Sequence, residues 1–137
     1  YLTEDGQGNG VFHLTKAVSL TARDVRNLQL AKAAVVGGIR VLLEQRGVTA
    51  DDIASVELAG GFGNYLSPEN VVRIGMLPRA CLSKIRPLGN AALAGASMLA
   101  LDGENWRKLA EIPEKCRYLE LSGRDDFSRA FTDSLTF

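Results

Sequence analysis

Ser55–Tyr65 reads SVELAGGFGNY. A short apolar run, Ser55–Ala59, has the pattern of a strand, and Gly60, Gly61 and Gly63 interrupt it at once around Phe62. Either the glycines only make a tight turn, or a ligand lies against their backbone. Glycines that follow a strand let a ligand touch the main chain, and their amides can donate to phosphate. Here, however, YLSPEN intervenes before the next helix signal. The stretch is therefore neither the GxGxxG dinucleotide fingerprint nor a phosphate loop with GK[ST]. From these residues alone, a turn and a ligand edge both stay open.

Upstream lies the clearest helix signal, TARDVRNLQLAKAAVVGGIRVLLEQRG. Thr21 with Asp24 resembles a capping box, with Asp in the usual Glu position. Val25, Leu28, Val35, Val36, Ile39, Leu42 and Leu43 then recur at helical spacing, and Gly47 closes the helix. Gly37 and Gly38 sit inside it, each costing about 1 kcal/mol relative to alanine. Such a pair marks either close approach by another backbone or a tolerated weak point. Lys32 falls within the apolar stripe, with Gln29 at its edge about one turn before. Two readings of Lys32 stay open: its stem packs while its amine snorkels to solvent, or it is a cation lining a cleft.

The remaining signals alternate. Tyr1–Thr3 and Val11–Thr15 read as strands joined by a DGQGNG hairpin turn. Thr49 can cap one turn through Asp52. In LSPENVVRIG, Ser67 is the N-cap, Pro68 the first helical residue and Gly75 the terminator. CLSKIRPL reads as a strand stopping at Pro87. GNAALAGASMLALDG is a helix of small residues, N-capped by Asn90 and expected to pack tightly on a neighbour. ENWRKLAEI is a helix ended by Pro113 and anchored by Trp106. RYLELSG reads as a strand and RDDFSRAFTDSLTF as an amphipathic helix. Asp51, Asp52, Asp125 and Asp126 fall at helix starts, where the helix dipole favours them without catalysis. This order implies an α/β fold with a mixed, mostly parallel sheet covered by helices. In such sheets ligands bind beyond the carboxyl ends of the strands. GGFGN and LGN, which each follow a strand, are expected to face one edge.

Composition narrows the function classes. Sixteen basic residues balance sixteen acidic ones, so no field favours nucleic acid or an anionic membrane surface. No apolar run approaches the ~20 residues of a membrane helix. Cys81 and Cys116 are far apart and His13 is the one histidine, a set unsuited to metal ligation. The thiols read as core residues of a cytoplasmic protein. No nucleophile–base pair or paired carboxylates form a catalytic constellation. The opening at Tyr1 rather than Met is expected of a fragment.

DVRNLQLAKAAVVGGIRVLL, VELAGGFGNYLSPENVVRIGMLP, PLGNAALAGA and YLELSGRDDFSRAF together resemble the C-terminal part of the reductive activators of corrinoid proteins. The matching blocks run in order from Ser19 to Phe137. The resemblance implies one half, residues 1–137, of an actin-like ATPase domain of the acetate and sugar kinase, heat-shock chaperone and actin superfamily, with a ribonuclease-H-like sheet. It implies ATP or ADP with Mg²⁺ in a cleft completed by the remaining half of the domain, and a [2Fe–2S] cluster in an N-terminal domain outside this chain. It also implies a corrinoid protein as partner, returned from the cob(II) to the cob(I) state. Carried onto this sequence, the adenosine motif falls on Gly60 and Gly61, with Phe62, Gly63 and Asn64 completing the turn and Phe62 anchoring it in the core. Gln29 and Lys32 would border the other side of the nucleoside, and Asn90 is a further candidate. Alternatives are the half-domain of a small-molecule kinase and an interaction module with purely structural glycines. By itself the chain is expected to be inactive.

Overall fold

The computed structural model describes the backbone of residues 1–137 and all side chains except those of Phe62, Gly63 and Asn64. The expectation that Phe62 anchors in the core lies outside the described side chains. The chain begins with an antiparallel three-stranded sheet: β1 (Leu2–Glu4), β2 (Gly10–His13) and β3 (Ser19–Thr21). In the β1–β2 turn, the Asp5 carboxylate accepts from the amides of Gln7 and Asn9, both at 2.8 Å. The strand β3 leads straight into α1 (Ala22–Arg46), whose capping box has the predicted members. Asp24 N–H donates to the Thr21 hydroxyl oxygen at 3.2 Å, and Thr21 N–H donates to the Asp24 carboxylate at 2.8 Å. Gly47, at φ 65°, ends the helix.

A 3₁₀ turn (Ala50–Asp52), capped by Thr49 with Asp52 as predicted, leads to β4 (Val56–Ala59). There follow α2 (Gly60–Tyr65), α3 (Pro68–Arg73), a 3₁₀ segment (Arg79–Lys84), β5 (Ile85–Gly89), α4 (Ala91–Leu101), α5 (Glu104–Lys115) and α6 (Asp125–Asp133). The strands β4 and β5 run parallel. Val56 and Leu58 alternate inward from β4 and meet Ile85 of β5, Ile39 of α1 and the buried Val71, Val72 and Leu77. This core joins α1, the parallel pair and α3. A second packed layer forms where α6 lies along α1: Ala33, Gly37 and Val41 of α1 are buried, as are Ala130 and Ser134.

Several expectations are corrected. Residues 60–65 are helical rather than an open turn; positive φ at Gly60, 78°, swings the chain out of β4 and into the helix. Cys81–Lys84 belong to the 3₁₀ segment, and Pro87 lies inside β5 opposite Leu58. A two-stranded pair has only edge strands, where a missing N–H is tolerated. Pro113 sits within the last turn of α5, which runs on to Lys115. Arg117–Ser122 forms no strand, since no ladder partner reaches it; Glu120 accepts instead from the Tyr118 hydroxyl at 2.6 Å and the Ser122 amide at 2.9 Å. No residue of α4 is buried, and Leu101 is 87% exposed. This helix is apolar around its whole circumference, and α5 covers only one strip of it. Trp106 is 59% exposed and anchors nothing. Of the thiols, Cys81 is buried and Cys116 exposed.

Candidate nucleotide edge

The parallel pairing of β4 and β5 decides which loops meet. Val56 pairs with Ile85, Glu57 with Arg86 and Leu58 with Pro87; then the register shifts, and Ala59 pairs with Gly89. Leu88 is the extra residue of this bulge. The insertion brings Gly60 and Gly61, just after β4, level with Asn90, just after β5. Bulges that re-aim chain ends beside functional sites are a common device. The expectation that GGFGN and LGN share one carboxyl edge is met, although the sequence carries no signal for Leu88 as the residue that aligns them.

The edge has room. A Cβ built on Gly61 would meet no heavy atom within 4 Å. The packing of this protein therefore does not require glycine there. Asn90 caps α4: the Leu93 amide donates to its Oδ1 at 3.0 Å. That bond fixes the orientation of the Asn90 amide at the rim. Close by, Ser67 caps α3, and its hydroxyl donates to the Glu69 carboxylate at 2.6 Å. That bond leads the interactions that hold the Glu69 carboxyl below its ordinary range. The edge offers open space at Gly61 beside the capped start of α4.

Gln29 and Lys32 both lie on α1. Gln29 is half-buried, and Lys32 is only 3% exposed. The snorkelling reading of Lys32 is corrected: its Nζ stays inside, donating to the Thr136 carbonyl, 4.9 Å from the centre of the Phe137 ring. A buried ammonium is costly without a partner, and here the partners come from the segment after α6. The structure thus brings Gly60, Gly61 and Asn90 together and engages Lys32 with the C-terminal residues.

Among the described residues, no helix is long and apolar enough to cross a membrane. The family model for the C-terminal domain of RACo, the ASKHA domain, matches residues 5–137. The chain is 34% identical over 122 residues to the corrinoid activation enzyme RamQ of Eubacterium limosum, a match covering 89% of this chain and 21% of that protein. It is 25% identical over 131 residues to the [Co(II) methylated amine-specific corrinoid protein] reductase of Methanosarcina barkeri, covering 94% of this chain and 24% of that one. The solved structure of a reductive activator for corrinoid, iron-sulfur protein superposes with a TM-score of 0.86 at 32% identity, over 98% of this chain and 22% of that chain. The chain thus spans about a fifth to a quarter of the length of the relatives it matches. With the α/β architecture and the shared edge of β4 and β5, these matches show that the chain belongs to the family of the C-terminal ASKHA domain of RACo.

Proposed function

We propose that this chain supplies the adenosine-binding wall of an ATP-dependent reductive activator that returns a corrinoid protein from the cob(II) to the cob(I) state. The observation that carries the reading is the juxtaposition of Gly60–Gly61 and Gly89–Asn90 at one carboxyl edge, with open space at Gly61. The family membership and the names of the relatives support it.

In this reading the backbone from Gly60 to Asn64 lies against adenine or ribose, and Asn90 borders the same site. Bound ATP with Mg²⁺ supplies the free energy of binding and hydrolysis; phosphate contacts come from the remaining half of the domain. Gln29 and Lys32 form the opposite wall, which for Lys32 requires its amine to leave the Thr136 carbonyl. Reduction adds one electron to the cobalt. Its carrier is a [2Fe–2S] cluster held elsewhere in the polypeptide, because a cluster bound by four thiolates needs more cysteines than Cys81 and Cys116 provide. Cytoplasmic placement belongs to the same proposal and follows from the reducing chemistry.

The test uses the full-length protein, a chemical reductant and a corrinoid protein held as cob(II). Absorbance of cob(I) that accumulates only when ATP is added is the expected result. Equal reduction with and without ATP, or ATP-dependent phosphorylation of a sugar or acetate instead, would overturn the proposal.

A further inference from the structure

The segment after α6 crosses α1 to reach Lys32. At about 100° per residue, Lys32 falls on the stripe of Ile39, which packs on the core of Val71, Val72 and Leu77. It does not share the stripe of Gly37, which lies under Phe127 of α6. Helix α6 ends at Asp133, and Ser134 fastens the chain there. The Ser134 amide donates to the Phe131 carbonyl at 3.1 Å, its hydroxyl to the Ala130 carbonyl at 2.7 Å, and the Leu135 amide to the Thr132 carbonyl at 3.3 Å. Thr136 and Phe137 then leave α6. Both are exposed, while Lys32, which they touch, is 3% exposed.

The two ends of this segment are held unequally. Among the described residues, the bond donated by the Lys32 ammonium to the Thr136 carbonyl is the one hydrogen bond made by Thr136 or Phe137. No ion pair involves Lys32 among them. Its second contact is the ring of Phe137, which is 63% exposed. A neutral carbonyl and an exposed ring hold an ammonium less firmly than a carboxylate does. The segment can therefore open beyond Leu135 without disturbing the bonds that tie Ser134 to α6. Release has a use because of where Lys32 lies. The C-terminal end of α1 meets the start of β4, where Leu42 and Leu43 share a cavity with Ser55 and Val56. Lys32 is about 15 Å back along the helix from Leu42, away from the start of that strand.

We propose that Thr136–Phe137 is a strap that withholds the Lys32 amine from the nucleotide, so that a closed strap and contact of Lys32 with the nucleoside exclude one another. The inference rests on the functional reading above and adds a regulation of that same site. An ammonium has three protons to donate, but at 3% exposure no ligand reaches it while the strap is closed. By linkage, nucleotide that engages Lys32 opens the strap by the same factor with which the strap weakens nucleotide binding.

The test is calorimetric titration of the full-length protein with ADP. Wild type is compared with a variant lacking Thr136 and Phe137, with Lys32→Met, and with the two changes combined. Removing the strap should tighten ADP binding about three- to tenfold, because the binding-competent state no longer has to be opened. A gain of affinity cannot come from damaged folding. Lys32→Met should bind ADP more weakly than wild type, and removing the strap from Lys32→Met should change nothing further. Unchanged affinity without the strap would overturn the proposal and leave the functional reading standing. Weaker binding without it would do the same, by assigning the segment to the pocket. Equal tightening with and without Lys32 would also overturn it, since the effect would not pass through that amine. Failure of wild type itself to bind ADP would overturn both.

Discussion

At Gly37, an added Cβ would lie 3.1 Å from a ring carbon of Phe127 and 3.3 Å from the Phe131 amide nitrogen. At Gly61, it would meet nothing within 4 Å. Both glycines belong to a Gly-Gly pair, and in the sequence the two pairs look alike. The first lies under close packing: α6 approaches α1 so closely that a Cβ at Gly37 would press on the Phe127 ring and the Phe131 backbone. At the second, the protein's own packing makes no such demand. Gly95 and Gly103 are as free of contacts as Gly61, so open space alone does not single out the second pair; its position at the carboxyl end of β4, beside the end of β5, does. Gly38 falls between the extremes, with the nearest contact to its Cβ position an ordinary 3.5 Å from Leu121 Cδ1.

The contrast breaks if substitutions at the two pairs behave alike. The largest effect is expected for Gly37→Val, which overpacks the α1–α6 interface and should destabilise by about 1–3 kcal/mol; denaturant unfolding of the full-length protein, followed by exchange of α6 amides, measures it. Gly61→Val should leave the unfolding midpoint in place while weakening ADP binding about tenfold, or about 1.4 kcal/mol, in a titration with ADP. Gly38→Ala should stabilise α1 by up to about 1 kcal/mol, since it gains helix propensity without a clash. A smaller effect follows from acid. The carboxyls of Asp24, Asp52 and Asp126 are held below their ordinary range, first by the Thr21 hydroxyl, the Thr49 amide and the Arg124 guanidinium respectively. A depressed folded value means that the stabilisation is complete above the unfolded value and is lost as pH falls through the folded one. The helix starts at Thr21 and Thr49 and the start of α6 should therefore loosen below about pH 4, seen as reduced amide protection after correction for intrinsic exchange.

What the sequence shows plainly is what is local. Thr21 with Asp24, Thr49 with Asp52, Ser67 with Pro68, and Asn90 before a run of alanines each specify a helix start within four residues, and each forms. What fails is what depends on a distant partner. RYLELSG has the composition of a strand but no ladder to join, and the apolar α4 has no neighbour broad enough to cover it. Lys32 could not be read because its partners lie 104 residues away, at Thr136. The candidate edge lies between these cases. Its glycines are visible in the sequence, and their position after a strand gives the right end of the sheet. The alignment with Asn90 depends on the bulge at Leu88, which no local pattern signals.

The central claim is that adenosine lies on the edge formed after β4 and β5. Amide hydrogen exchange of the full-length protein, with and without saturating ADP, tests it most directly. The account predicts slower exchange at Gly60–Tyr65 and at Gly89–Asn90, with no change along α5. Unchanged exchange at both edge segments in protein shown to be saturated with ADP would contradict it.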